Sequence, residues 1–579
     1  MLRGKKPVPK NWEVGKAGGR ESWILVAKPM SNAKRLRLLA SFLTNGYSVM
    51  IIAHHPTSVF SATPSPITID NHSMTDTPHP VKASTAADKA RGQAALRATM
   101  ANASKLSIAM AITIPLGFVT RILIPRFLGV DKAGVFFFAE AFPNIALMLL
   151  PLGIPAYIQK SVPPDHSHAR VILMPVLVLQ AFLALLLILT VLGYMQLVNY
   201  ERQIIELTAI MAIYQTLTIF QTEVLLNIFV SVGRINLVAV INVASKLLLV
   251  ALVLASLLYD SSNLHLLAAA FTVAQLAIVA ATLYRAKVAG MVGKTMSASV
   301  LKGVIQISLP FFLASALANS SGTIDMAVLS RLADFHEVAY YGAVMRIQSL
   351  FLLLIPLMAS AVTPLLSSTY ARDPEEYKQL ASQAMRILMI FAFVFCMVNI
   401  AFGHEIIALI YGQEFAPAAK VIGLNGPVVL ATYISIFLVH NIVVTTNGHG
   451  LVKIVFLGFL LNFGLDYLLI PIGAKWIGAG GGACGSMVAT LITELINMGL
   501  LIRLSNNTVF NKRATYTLCM VGLATVAFGA ASSLWFDLNI VTRVALFSLV
   551  IPIFLAATRL VTLSDLTEFK QLISRRGQT

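Results

Sequence analysis

The sequence contains little charge, few cysteines and no long polar stretch after about residue 100. Charged residues make up 12% of the chain, about half of the 25% that is usual in soluble proteins. The three cysteines, Cys396, Cys484 and Cys519, lie in apolar segments and form no C-x-x-C pair or other metal-ligand spacing. These absences exclude a disulfide framework, argue against an enzyme with a large water-facing catalytic domain, and predict neither a metal nor a cofactor.

Long hydrophobic runs dominate the chain instead. Hydrophobic residues make up 57% of it, and the mean hydropathy is +0.79. About fourteen stretches of roughly 20 apolar residues follow residue 100, and this is the length of an α-helix that crosses about 30 Å of hydrocarbon. The sequence therefore predicts an all-α polytopic membrane protein with about 14 transmembrane helices. The predicted spans are 104–125, 134–158, 170–195, 204–231, 235–259, 264–284, 304–329, 338–366, 384–411, 418–446, 450–472, 479–502, 514–536 and 540–560.

Positive charge predicts the orientation of these spans. The net charge is +18. With the N-terminus inside, 23 Lys and Arg residues from residue 82 onward fall in inner segments and seven in outer turns. Because Lys and Arg are retained in the cytoplasm, we expect both termini there, in a multi-pass protein of the cell (inner or plasma) membrane. The basic residues lie beside spans rather than in one patch, which favours membrane lipids over nucleic acid as partners.

Residues 1–99 form a polar extension that we expect to be disordered. Three interpretations of residues 1–73 stay open. The weak apolar run at 36–53 follows basic residues as in a signal peptide, although it is short and interrupted. Otherwise the segment is a disordered extension, or translation starts at Met74.

An internal repeat is the next feature. Arg126 and Arg331, and Pro151 and Pro356, occur in similar surroundings and share an offset of 205 residues, although such matches also arise by chance in a leucine-rich chain. The offset covers six spans, so the repeats are parallel and predict two lobes related by an axis along the membrane normal. The predicted divisions are a six-helix lobe at 100–302, a second at 303–505, and helices 13 and 14 with a cytoplasmic tail at 506–579.

Three segments of the second half carry a family pattern. They are SLPFFLASALANSSGTIDMAVLSRLADFHEVAYYGAVMRIQSL from Ser308, LIYGQEFAPAAKVIG from Leu409, and NGHGLVKIVFLGFLLNFGLDYLLIPIGAKWIGAGGGACGSMVATLITELI from Asn447. The chain resembles the polysaccharide (O-antigen type) transporters of the multidrug/oligosaccharidyl-lipid/polysaccharide flippase superfamily. The residues that carry the resemblance are Asp325, Tyr340, Tyr341, Arg346, Tyr411, Gly412, Phe415, Ala418, Asn462, Pro471, Gly478, Ala479 and Glu494.

The resemblance implies a transporter rather than an enzyme. Such proteins flip undecaprenyl-pyrophosphate-linked sugars from the cytoplasmic to the periplasmic leaflet, and some work with polysaccharide-assembly partners. The fourteen-span count resembles the lipid II flippase branch, whereas the loop motifs resemble the polysaccharide branch.

Cations inside the spans are the first candidate site residues, because a charge in lipid costs several kcal/mol unless it has a partner or a wet cavity. Lys246 lies near the middle of the fifth span, where it could bind a diphosphate headgroup. Alternatively it pairs with Glu223 or Asp466, or the span boundary is misplaced. Arg121 and Arg346 lie in the outer third, where they either contact substrate or snorkel to the interface.

Polar and acidic residues complete the candidate site. A polar stripe on the seventh span includes Asn319 and leads to Asp325, although such stripes also join helices by hydrogen bonds. Buried carboxylates can exchange protons or bind Na⁺, which gives a route for H⁺ or Na⁺ coupling. The ion-coupling candidates are Glu140, Glu223, Asp325, Asp466 and Glu494.

Three functions remain open from the sequence. The first is a flippase for lipid-linked oligosaccharides that works by alternating access. The second is a cation-coupled multidrug exporter of the same superfamily, for which an acidic cavity is expected. The third is a membrane-embedded polysaccharide polymerase or ligase, with His336, His404 and Glu405 as the nearest catalytic candidates.

Overall fold

The chain divides into two units, Met1–Thr85 and Ala86–Thr579. The computed structural model describes residues 12–16, 23–27, 86–163, 166–293, 321–352, 355, 366–367, 369–370, 372–446, 450–505, 512–536 and 539–557. In the first unit, strands β1 (Trp12–Lys16) and β2 (Trp23–Ala27) pair antiparallel, with Trp12 opposite Ala27. Most of the extension for which we expect disorder lies outside the described residues.

Helices make up the described part of the second unit, and each of the fourteen predicted spans overlaps at least one. Nine segments are long and apolar enough to cross a membrane among the residues described, which confirms an all-α polytopic membrane protein. The helices are α1 (Ala86–Ala141), α2 (Asn144–Leu147), α3 (Ile154–Ser161), α4 (His168–Leu197), α5 (Arg202–Ile219), α6 (Leu226–Ser231), α7 (Ile235–Asp260), α8 (Leu264–Val288), α9 (Ser321–Leu332), α10 (Phe335–Leu352), α11 (Pro374–Tyr411), α12 (Ala418–Thr446), α13 (Leu451–Ile477), α14 (Gly481–Leu504), α15 (Lys512–Phe536) and α16 (Ile540–Ala557).

The first two predicted spans are not separated by a loop. Helix α1 covers the first span and the start of the second, and its two parts meet at a kink at Gly129, whose φ of 69° is a left-handed value that favours glycine. The second predicted span, 134–158, is then divided among the end of α1, α2 and α3. Pro143 and Pro151 lie at these breaks, because proline lacks an amide hydrogen and clashes with the preceding helical turn.

A π-helical segment, Phe220–Leu225, joins α5 to α6 in the middle of the fourth predicted span. It contains Glu223 and the buried Gln221, which accepts a hydrogen bond from Gln275 of α8. Polar side chains of this span therefore join helices in part, and its π-bulge has the irregularity that is common at functional sites.

Two arginines connect the N-terminal lobe (α1–α8) with the C-terminal lobe (α9–α14) in a reciprocal way. Arg126 of α1 donates to the carbonyl oxygen of Leu409 at 3.2 Å, near the end of α11. Arg331 of α9 donates to the carbonyl oxygen of Val198 at 3.4 Å, just after α4. The two arginines are 205 residues apart, and α4 and α11 occupy corresponding predicted spans. The lobes are thus joined by symmetry-related contacts at their predicted outer end.

A further contact between the lobes also follows the repeat. Asp131 Oδ1 lies 2.5 Å from His336 Nε2, and these residues are separated by the same 205 positions. Helices α1 and α10 come together here because Gly134 and Gly342 have no side chain. A Cβ on Gly134 would meet the carbonyl oxygen of Phe335 at 1.8 Å. The predicted outer end of the lobe interface is therefore tightly closed.

The last two helices pack against the C-terminal lobe. Arg543 of α16 is buried and forms an ion pair with Glu405 of α11. Arg543 lies near the start of the last predicted span, where burial beside a carboxylate is less costly than exposure to lipid.

Candidate functional site: a cationic cluster and a carboxylate pair

Arg346 of α10 is held between the two lobes by three contacts. Its guanidinium forms an ion pair with Glu140 of α1 and lies 3.3 Å above the ring centroid of Phe137. It also donates to the carbonyl oxygen of Gly342 at 3.1 Å. Ion pairing, cation–π attraction and a backbone acceptor together fix this charge in a partly dry environment.

Two further cations lie close to this pair. Arg121 of α1 is exposed to solvent between the lobes and donates to the hydroxyl of Ser349 on α10. Lys246 is half-buried near the middle of α7, and Arg121 and Glu140 are the charged groups that act on it electrostatically. We call Arg121, Lys246, Arg346 and Glu140 the cationic cluster. It combines three positive charges with one negative charge.

The structure does not support the alternative pairings of Lys246. Within the described part of the chain, no carboxylate lies within ion-pair distance of it. Glu223 contacts the hydroxyl of Thr222 at 3.4 Å instead, and Asp466 lies in the C-terminal lobe. Helix α7 matches the predicted fifth span almost residue for residue, so Lys246 is near mid-helix as expected.

The five acidic candidates occupy different environments. Glu140 is the counter-ion of Arg346, and its carbonyl oxygen accepts a hydrogen bond from Gln215 at 2.9 Å. Glu494 of α14 lies next to Ser435 of α12. Asp325 and Asp466 lie next to each other. The remaining polar candidate, Asn319, lies outside the described residues.

Asp325 and Asp466 form a completely buried pair in the C-terminal lobe. Both have 0% exposure, and each carboxyl group is close enough to the other to act on it electrostatically. Tyr341 of α10 and Thr490 of α14 donate to Asp325, the latter at 3.2 Å. Ser486 adjoins Asp466 on the other side. We call Asp325 and Asp466 the carboxylate pair.

The carboxylate pair requires a positive charge that the surrounding side chains do not supply. Among the residues that the structure describes, none forms a hydrogen bond with either oxygen of Asp466, with one oxygen of Asp325 or with the amide nitrogen of the buried Asn462. No Lys or Arg among the residues described forms an ion pair with either carboxylate. Two ionised carboxylates cannot donate to each other, and their repulsion in a dry site is large. In a site this dry, a pair that holds a proton or a cation is more stable than two ionised carboxylates.

Sequence reasoning missed Glu337, a buried carboxylate at the start of α10. Its oxygens accept hydrogen bonds from the backbone amides of Gly480 at 2.7 Å and Ala483 at 2.8 Å, at the N-terminus of α14. A carboxylate is favourable at a helix N-terminus, where free amides carry partial positive charge. The glycine-rich segment 478–482 leads into α14, which begins at Gly481.

Two family models match the sequence. The first, described as "Polysaccharide biosynthesis protein", covers residues 99–370. The second, described as MatE, covers residues 310–468. These matches confirm the resemblance to the multidrug/oligosaccharidyl-lipid/polysaccharide (MOP) flippase superfamily. Among curated proteins, none matches the sequence.

Solved structures of MOP proteins share the fold. An inward-facing multidrug resistance MATE family transporter is similar with a TM-score of 0.57 and 17% identity, over 70% of this chain and 98% of that one. The lipid II flippase MurJ, in an inward closed conformation, gives a TM-score of 0.56 and 15% identity over 78% and 97%. A MOP superfamily transporter from Pyrococcus furiosus, described as having a binding pocket of reverse polarity, gives a TM-score of 0.50 and 16% identity over 70% of this chain and 96% of that one.

Proposed function

We propose that the protein flips lipid-linked oligosaccharides, carried on undecaprenyl pyrophosphate, from the cytoplasmic to the outer leaflet of the inner membrane. The observation that carries this proposal is the cationic cluster. Arg121, Lys246 and Arg346 come from three helices of both lobes and outnumber their one carboxylate, Glu140. A diphosphate that leaves the headgroup region needs such a set of charges, because a dry environment strengthens each contact.

The contacts between the lobes support alternating access. Both cross-lobe arginine contacts and the Asp131–His336 pair close one end of the interface, which the charge distribution predicts to be the outer end. Arg121 remains exposed to solvent deeper between the lobes. This conformation would receive substrate from the cytoplasmic side, and parting of the outer contacts would release it on the other side.

The carboxylate pair supports coupling to H⁺ or Na⁺. The pair lies among α9, α10, α13 and α14, so binding of one positive charge changes the attraction between four helices of one lobe. Only a ligand that binds two conformations differently can shift their populations. We propose that loading of this pair biases the C-terminal lobe toward one orientation.

The other two functions find less support in the geometry. An exporter of organic cations needs net negative charge at its binding site, whereas the cationic cluster is net positive. The catalytic candidates of a polymerase or ligase are engaged in packing contacts: His336 with Asp131, and Glu405 with Arg543.

Transport in proteoliposomes tests the proposal. The purified full-length chain is reconstituted with a fluorescent undecaprenyl-diphosphate oligosaccharide, and access of a membrane-impermeant quencher reports flipping. We expect flipping of this lipid, slower flipping of the same glycan on a monophosphate carrier, and no transport of an organic cation such as ethidium. Transport of ethidium without flipping of either lipid would instead establish the multidrug function.

A further inference from the structure

A second basic site lies at the predicted cytoplasmic end of the N-terminal lobe. A cavity of about 480 Å³ opens between the start of α7 and the end of α8. Its lining combines Arg234 and Asn236 from α7 with Arg285 from α8, and the apolar Leu237 and Val288 form the rest of its wall. Gly233, with a φ of 76°, turns the chain into α7 at its edge.

The two arginines of this cavity have no carboxylate partner in the described part of the chain. Several other arginines of the described chain pair with a carboxylate: Arg202 with Glu206 and Arg372 with Glu376 on exposed surfaces, and Arg346 and Arg543 in the pairs described above. Neither Arg234 nor Arg285 has an acidic group within ion-pair distance among the residues that the structure describes. Two guanidinium groups that face one cavity without a counter-ion attract an anion, and a planar fork of donors suits a phosphate group.

The surroundings indicate a lipid phosphate rather than a soluble anion. Apolar side chains next to the cavity are strongly exposed, including Val288 and Tyr284 on α8 and Val240 on α7. In a transmembrane protein such side chains face acyl chains, whereas Arg234 and Arg285 occupy the level of the headgroups. A ligand with a phosphate and an adjoining hydrocarbon chain satisfies both parts of the surface.

We propose that Arg234 and Arg285 bind the phosphate group of a membrane lipid from the inner leaflet. Two lipids offer this chemistry, an anionic phospholipid and the polyprenyl diphosphate of the substrate before it enters between the lobes. The site lies on a single lobe and at the opposite end from the closed outer contacts. The proposal is independent of the proposed function, because a phospholipid site requires no assumption about the transported substrate.

Lipid binding to the full-length chain tests this proposal. The protein is placed in phosphatidylcholine nanodiscs that contain either phosphatidylglycerol or undecaprenyl diphosphate, and bound lipids are counted by native mass spectrometry. The double variant Arg234→Gln/Arg285→Gln should lower the affinity for at least one of these lipids by about tenfold, since charged hydrogen bonds are lost. Arg503→Gln, which removes an exposed charge from the end of α14, is the matched control and should bind as the wild type does.

The pattern of losses identifies the lipid. A loss confined to phosphatidylglycerol assigns the site to phospholipid, a loss confined to undecaprenyl diphosphate assigns it to substrate, and a loss of both shows shared phosphate recognition. Unchanged binding of both lipids, or an equal loss in Arg503→Gln, would overturn the proposal. If the glutamine variant unfolds, Arg234→Lys/Arg285→Lys decides the question: retained lipid binding supports the site and lost binding refutes it, because lysine preserves the charge.

Discussion

The cationic cluster and the carboxylate pair differ in sign, in exposure and in their relation to the lobes. The cluster lies between the lobes, contains an exposed arginine and is net positive. The carboxylate pair lies inside one lobe, has 0% exposure and is net negative when ionised. When two lobes move, a site between them can open to a different side of the membrane. A site inside one lobe stays closed, and a ligand bound there acts only through the packing of that lobe's helices.

This difference suggests a division of labour. The cluster can bind a bulky anion because water and substrate reach it, and its geometry depends on the relative position of α1, α7 and α10. The carboxylate pair excludes large ligands and accommodates only a proton or a small cation. Substrate recognition and energy coupling would then be separable by substitution, and the following predictions test that separation.

The largest effect should follow removal of the charge at Lys246. Lys246→Ala should lower flipping by about tenfold to a hundredfold, since a charged hydrogen bond contributes about 1.5–3 kcal/mol. Lys246→Arg should retain part of the activity, because it keeps the charge and changes its shape. The measurement is surface glycan in a flippase-deleted host at matched membrane abundance, with Lys453→Ala on the exposed face of α13 as the control. Wild-type glycan with Lys246→Ala would contradict the assignment.

A somewhat smaller effect should follow neutralisation of the carboxylate pair. Asp466→Asn should lower flipping by about tenfold and remove its dependence on pH or Na⁺, because the amide can donate to Asp325 without a shared proton or cation. Binding of the diphosphate lipid should change little. Asp260→Asn, an exposed substitution at the end of α7, serves as the control. Retained ion dependence in Asp466→Asn would show that coupling occurs elsewhere.

The sequence predicted the positions of the helices and of the cations on them better than it predicted which side chains contact one another. A lysine in the middle of an apolar run is visible from hydropathy alone, so the position of Lys246 on α7 was predictable. The partner of Arg346 was not, because Glu140 lies 206 residues away and no periodicity connects them. Lobe packing decides which of five spaced carboxylates become neighbours, so the pairing of Asp325 with Asp466 required the structure.

The contacts of Glu337 were not predictable from the sequence for a related reason. It lies at a helix start, where an acidic residue is common, and it binds backbone amides rather than a charged side chain. Its partner Gly480 is 143 residues away. The signal that could have revealed it is the glycine-rich start of α14, whose free amides need acceptors.

Glu337 provides a third test, because it joins α10 and α14, which carry Tyr341 and Thr490 of the carboxylate site. Glu337→Gln should destabilise the protein by about 1.5–3 kcal/mol through weaker bonds to the α14 amides. Because it touches neither site directly, flipping at low temperature should fall by less than about twofold. Thermal unfolding in detergent measures the first effect, with the exposed Glu414→Gln as the control. A large loss of ion dependence without a loss of stability would contradict this structural role.

The smallest expected effect concerns the contact between Asp131 and His336, which closes the predicted outer end of the lobe interface. The hydrogen bond to Asp131, reinforced by the nearby charge of Asp334, raises the pKa of His336 above its ordinary value of 6.5. Parting of the lobes removes Asp131 and returns the pKa toward that value. Protonation therefore stabilises the closed outer end fully below the ordinary pKa, and this stabilisation is lost as pH rises through the raised pKa.

Because the ion pair is exposed, the shift in populations should not exceed about fivefold. Spin labels at Leu197 and Leu409, exposed residues near the outer ends of α4 and α11, can measure the distance between the lobes once the exposed Cys519 is replaced by Ser. We expect a larger fraction of molecules with a closed outer end at about pH 5.5 than at about pH 8.5. This difference between the two pH values should be smaller in His336→Gln. His265→Gln is the matched control, because His265 faces Glu206 within one lobe at 3.8 Å. An undiminished pH response in His336→Gln would assign proton sensing to the buried carboxylate pair instead, and would place proton sensing and outer closure in different parts of the C-terminal lobe.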